Sequence, residues 1–134
     1  MNEEELKKRT KQFGLRTMKL VSVLPKSIEG RAIGNQLIRS GTSVGANYRS
    51  ACKGRSKAEF IAKLGIVEEE ADESAYWMEL IIEGNLLQKS TVDPLLKEAN
   101  EIVAIMAASR KSASRSNCKS SSKAKGLKNS KSQI

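Results

Sequence analysis

SKAEFIAKLGIVEEEADESAYWMELII, residues 56–82, brings an apolar residue every three or four positions and contains no proline, which is the spacing of one long helix. Ser56-Lys57-Ala58-Glu59 opens it as a capping box: the serine oxygen accepts a free helical amide and Glu59 reaches back to the cap. Continued to near Gln88, the helix is about 45 Å long at 1.5 Å per residue. With residues set 100° apart, Phe60, Leu64, Val67, Ala71, Ala75, Met78 and Ile82 form one stripe. A second strip, Ala62, Ile66, Trp77, Leu80 and Leu87, lies on nearly the opposite side. A bundle covers one stripe, so the other calls for a neighbouring subunit; the plainer alternative is that Trp77 covers the end of its own bundle.

Upstream, Glu29 to Lys53 gathers Ile33, Leu37, Val44, Tyr48, Ala51 and Cys52 on one arc, and Gly30, Gly34, Gly41 and Gly45 share it. Each glycine costs roughly 1 kcal/mol against alanine in a helix interior, so their alignment points to a neighbouring backbone close by. The opposite arc is polar and basic: Arg31, Asn35, Arg39, Thr42, Arg49 and Lys53. Before it, Leu6, Thr10, Phe13, Thr17, Leu20 and Leu24 align on a first helix that ends ahead of Pro25. After it, Asp93-Pro94 reads as an N-cap followed by proline at the first helical position, with Val92, Leu95, Leu96, Ala99, Ile102, Val103 and Met106 on one side of a fourth helix. Four helices and three short connections predict an all-α, antiparallel up-down-up-down four-helix bundle over residues 1–109. Residues 110–134 are rich in Ser and Lys with almost no bulky apolar side chain, and are expected to form a flexible, disordered basic tail.

Composition narrows the chemistry. The 134 residues are one domain's worth of chain, and aromatics make up only 4%. There is no histidine, which removes Ser/His and Cys/His nucleophilic systems and imidazole metal sites together. Cys52 and Cys118 share no metal-ligand spacing and suggest neither a disulfide framework nor a CxxC site; a reducing compartment fits. The start, Met1-Asn2-Glu3-Glu4-Glu5, is acidic without an apolar run, so a cytoplasmic protein is expected. Glu68, Glu69, Glu70, Asp72 and Glu73 suggest ion pairing with Arg31, Arg39 or Arg49 rather than a metal, since bundle di-iron sites use Glu-x-x-His motifs. No enzyme, cofactor or small-molecule substrate is expected.

The net charge of +9 is unevenly spread. Residues 110–134 hold eight Lys/Arg and no acid, leaving 16 basic and 15 acidic residues in the body. Within the body, residues 1–63 carry 14 basic against 5 acidic side chains, and residues 64–109 carry 2 against 10. Such halves can attract one another, within a subunit or between subunits, or the positive half can bind phosphate; both uses stay open. The expected phosphate contacts are Arg31, Arg39, Arg49, Lys53, Arg55 and Lys57, with Lys119, Lys123, Lys125 and Lys128 adding salt-sensitive, sequence-blind attraction. The expected oligomer interface is Ile66, Glu69, Glu73, Trp77, Leu80 and Leu87.

The stretch Gln36-Leu37-Ile38-Arg39-Ser40-Gly41-Thr42-Ser43-Val44-Gly45-Ala46-Asn47-Tyr48-Arg49, then Ser56 to Leu64, then Glu68-Glu69-Glu70-Ala71-Asp72-Glu73 with Tyr76-Trp77-Met78-Glu79-Leu80, resembles the four-helix bundle proteins encoded in intervening sequences of bacterial large-subunit ribosomal RNA genes. The resemblance spans about residues 10–106. That superfamily includes the accessory variability determinant of diversity-generating retroelements, a homopentameric barrel that partners a reverse transcriptase and binds nucleic acid. The resemblance thus implies a homo-oligomeric, pentameric accessory protein that binds nucleic acid, structured RNA foremost, beside a protein partner such as a reverse transcriptase. The alternative is a protein–protein interaction scaffold with no nucleic-acid contact. Fold transfers along such a resemblance better than function does.

Overall fold

A computed structural model describes the backbone of residues 1–127 and the side chains of residues 1–115. Its elements are α1 (Glu3–Ser22), α2 (Ile28–Cys52), α3 (Lys57–Glu83) and α4 (Lys89–Leu127), with no strand among the described residues. Asn2 and Glu5 form a capping box at the start of α1, Ser27 caps α2 through the Gly30 amide, and Ser56 caps α3 through the Glu59 amide as its sequence predicts. The Glu59 carboxylate accepts from the Arg55 amide at 2.6 Å rather than from the Ser56 amide of a full capping box. Sequential helices pack on one another and α4 closes against α1, whereas α1 and α3, like α2 and α4, do not meet. The result is an up-down-up-down four-helix bundle with α1 and α3 at diagonal corners.

The predicted stripes meet at the centre. Phe13, Leu37, Val44, Leu64, Met78, Ile102 and Met106 have no exposed surface. Phe60, Ile33 and Cys52 are half-buried at its edge, and Ile81 rather than Ile82 points into it, since Ile81 follows Met78 by three residues.

Three helix boundaries differ from expectation. Helix α3 stops at Glu83 instead of near Gln88, because Asn85 turns left-handed (φ 58°). The Leu86 amide then donates to the Ile81 carbonyl at 2.9 Å and the Asn85 amide to Ile82 at 3.1 Å, the paired bonds of a Schellman end. Helix α4 starts at Lys89, so Asp93 is not its cap and Pro94 lies inside it. Pro94 is the sixth residue of α4, past the first four amides that lack carbonyl partners, so it forfeits one bond to the Ser90 carbonyl, and the early start in return puts fully buried Val92 in register. Asp93 instead accepts from the Lys89 ammonium at 2.7 Å, one turn back. Helix α4 also continues past position 109, where the apolar stripe ends, to Leu127, with no glycine or proline between Arg110 and Gly126 to break it.

The aligned glycines bring α2 against α1. A Cβ on Gly45 would stand 3.1 Å from the Thr10 carbonyl oxygen, and one on Gly41 would stand 2.5 Å from the Thr17 side chain. Thr10 and Thr17 are themselves fully buried, and each hydroxyl donates to the carbonyl four residues earlier, Leu6 and Phe13, both at 2.8 Å. On the other side of α2, the buried Ser40 and Ser74 hydroxyls hydrogen-bond each other at 2.8 Å, joining α2 to α3. Such a bond contributes about 1 kcal/mol net and costs more if one partner is removed.

These contacts set the sign of two glycine substitutions. Gly41→Ala gains about 1 kcal/mol of helix propensity but overpacks Thr17, which costs about 1–3 kcal/mol, so the net effect is destabilising. Gly65→Ala, whose Cβ would meet only the Arg110 side chain at 3.8 Å, is expected to stabilise by about 0.5–1 kcal/mol. Asn85→Gly relieves a left-handed backbone and is expected to stabilise by up to about 1 kcal/mol. Urea unfolding monitored by circular dichroism measures all three.

Candidate nucleic-acid interface

The basic arc of α2 is divided by the fold. Arg31 stands in the first turn of α2, at the corner made with Pro25 and Lys26. Arg49 lies in the last turn, Lys53 caps the C-terminus, Arg55 sits in the connection and Lys57 opens α3, so these four share the opposite end of the bundle. All five are exposed.

Arg39, midway between, is held by carboxylates of its own chain. Its guanidinium donates to Glu73 and, at 3.4 Å, to Glu70, and the Glu73 bond raises its pKa. Glu73 also accepts from the Trp77 indole N–H at 3.0 Å. That bond first, and Arg39 second, hold the Glu73 carboxyl below its ordinary value. Glu73, predicted as an interface residue, thus ties Arg39 to Trp77 across the α2/α3 seam.

Sequence reasoning missed the cations that α1 adds. Because α1 and α2 are antiparallel, the start of α1 lies beside the end of α2. There Lys7, Lys8, Lys11 and Arg49, with Glu4 at the edge, line a groove of about 410 Å³ beside Gly45, which carries no side chain to fill it. Lys7 pairs with Glu4 at 3.4 Å; Lys8, Lys11 and Arg49 have no ion pair among the described residues. The available signal was the run Lys7-Lys8 followed one turn later by Lys11, on a helix read only for its core stripe. Nearby Cys52 is half-buried, and burial pushes its thiol up, away from the reactive thiolate.

Two further arginine pairs join helices. Arg9 on α1 reaches Glu98 at 2.6 Å and Glu101 at 2.6 Å on α4, and these carboxylates raise its pKa. Arg110 on α4 reaches Glu68 on α3 at 2.6 Å. Glu68 and Arg110 line one groove with Gly65, the exposed Glu69, Asp72 and Val103. Along the second strip of α3, Ile66 is exposed, Leu80 is half-buried, and Trp77 and Leu87 are half-buried and packed against the core. Exposed Tyr76 was not assigned to that strip, yet its ring meets Trp77 edge-on with centroids 5.1 Å apart. The side chains of Lys119, Lys123 and Lys125, and all of Lys128, lie outside the described residues. Among the described residues no helix is long and apolar enough to cross a membrane.

No curated protein matches the chain. A crystal structure of a Bacteroides thetaiotaomicron protein of unknown function, from the S23 ribosomal protein family, superposes with a TM-score of 0.77 at 32% sequence identity, covering 83% of this chain and 99% of that one. Residues 2–108, the bundle up to the end of its apolar stripe, match the family described as 23S rRNA-intervening sequence protein. The chain belongs to the 23S rRNA-intervening sequence protein family.

Proposed function

We propose that this protein is a non-enzymatic, cytoplasmic, homo-oligomeric accessory protein, pentameric by its family resemblance, that binds structured RNA beside a protein partner such as a reverse transcriptase. The observation that carries the reading is the collection of base at one end of the bundle. Lys7, Lys8, Lys11, Arg49, Lys53, Arg55 and Lys57 stand there, and antiparallel α4 returns Lys111 and Arg115 to the same end. The lysines at 119, 123, 125 and 128 follow these in the chain and extend the same charge. Phosphate neutralised by such an array releases counterions, so affinity falls with salt and depends little on sequence. Arg31, at the far end, and Arg39, already paired, contribute least.

A filter-binding titration against an RNA hairpin and a DNA duplex at low and moderate salt tests this. Joint Lys8→Glu and Arg49→Glu is expected to weaken RNA binding at least about tenfold and to lower the salt slope by about 2, whereas Arg31→Glu leaves both near wild type. Absence of binding to either nucleic acid at low salt removes the reading.

One observation favours a protein-only scaffold: Arg39 shows that basic and acidic halves of this chain do attract each other directly. In that reading Arg39→Glu loosens the assembly while nucleic acid is never bound. The same seam has a pH signature. Glu73 titrates below its ordinary value, so its stabilising contribution is complete above the unfolded chain's carboxylate value and is lost as pH falls through the depressed one. Glu73→Gln is expected to weaken the bundle at neutral pH and to flatten the acid limb of its stability profile, measured by urea melts followed through Trp77 fluorescence.

A further inference from the structure

The groove between the start of α1 and the end of α2 is set apart from the other bases of the molecule. Lys7, Lys8 and Lys11 reach it from α1 and Arg49 from α2, and Gly45, pressed close to the Thr10 carbonyl, leaves bare backbone at its floor. Lys8, Lys11 and Arg49 have no ion pair among the described residues. Toward the end of the bundle its border is acid. Glu4 lines the groove, and Glu3, on the same first turn, lies near Cys52, whose thiol it helps burial to push up. In the other direction the seam between α1 and α2 loses its charge. Past Lys11 the exposed positions of α1 are the apolar Leu15 and Met18, beside exposed Thr42 and Ala46 of α2. The next bases of α1, Arg16 and Lys19, line a different groove with Pro94 of α4.

We infer that this groove seats the terminal phosphomonoester of an RNA strand rather than an internal stretch of its backbone. The inference rests on the nucleic-acid reading above and names the part of the RNA that the groove takes. Charge is the first reason. Four bases against one acid, Glu4, leave the groove at +3. A phosphomonoester carries about −1.5 to −2 at neutral pH and has three acceptor oxygens, whereas an internal diester carries about −1. The terminal group thus draws more from the same cations and accepts more charge-assisted hydrogen bonds. The path of the strand is the second reason. A strand threading the groove brings its next phosphate against Glu3 and Glu4 on one side, or over Leu15 and Met18 on the other. A strand that ends there does neither, and its body lies outside, where Lys53, Arg55 and Lys57 meet it. At about 410 Å³ the groove is also the size of a site for one small molecule, not for a duplex.

The test uses one RNA hairpin in three forms, with a 5′-phosphate, a 3′-phosphate or hydroxyls at both ends, each titrated with the full-length protein by filter binding. One phosphorylated form is expected to bind at least about fivefold tighter than the hydroxyl form, with a salt slope steeper by about 1. Lys8→Gln with Lys11→Gln is expected to bring that ratio to about 1, whereas Lys53→Gln with Arg55→Gln weakens all three forms alike and keeps it. Three forms bound alike by the wild type overturn the inference, and so does a ratio that survives the loss of Lys8 and Lys11. Adenosine monophosphate, added at constant ionic strength, is expected to displace the preferred hairpin and spare the hydroxyl form. Its binding to a protein that treats the three hairpins alike assigns the groove to a free nucleotide and equally overturns the inference. Failure to bind any hairpin removes the nucleic-acid reading itself, a distinguishable result. Circular dichroism checks that both variants, which change exposed side chains only, keep their helical content.

Discussion

Connections over residues 23–27, 53–56 and 84–88 are too short to carry the chain across a bundle, so each helix must turn back beside the one before it. That constraint orders everything else. It sets α1 and α3 on a diagonal, brings the start of α1 to the end of α2, and returns the second half of α4 to the same end. The charge that the chain distributes in blocks is thereby converted into a polar molecule, positive at the end where α2 gives way to α3. The glycine seam serves the same arrangement, since Gly41 and Gly45 let α2 approach the buried threonines of α1, whose hydroxyls are satisfied by carbonyls of their own helix.

What was legible in the sequence was whatever repeats locally. The stripes of α1, α2 and α3, the Ser56 cap and the crowded glycine face all follow from residues within a few turns of one another, and the structure bears them out. The misplaced ends have local causes of another kind. Gly84-Asn85 is itself a helix-stop signal, since asparagine turns left-handed more readily than other side-chain-bearing residues, but the apolar spacing ran on past it; and Pro94, the sixth residue of α4, gives up one helical hydrogen bond near the start of the helix. The site was less legible, because its geometry is tertiary. Lys7, Lys8 and Lys11 become a groove only beside Arg49, and Arg9 finds Glu98 across most of the chain. No periodicity reports such pairings.

The outer side of α3 illustrates how one side chain can serve two ends. Glu73 looks like an interface carboxylate by spacing, yet it accepts from Arg39 and from Trp77 within its own subunit. The indole is thereby anchored by its polar edge with part of its ring against the core and Tyr76 standing beyond it.

The ion pairs divide by residue type. Among the described residues every pair that joins two helices uses arginine, namely Arg9, Arg39 and Arg110, while the lysine pairs, Lys7 with Glu4 and Lys89 with Asp93, stay within one helix. The planar guanidinium forks act as clamps, whereas among the described ammonium groups only Lys63, which donates to the Ser50 hydroxyl at 2.8 Å, reaches another helix. Amine acylation, which neutralises lysine and spares guanidinium, would therefore strip this molecule of most of its positive charge and leave the bundle's three arginine cross-braces intact.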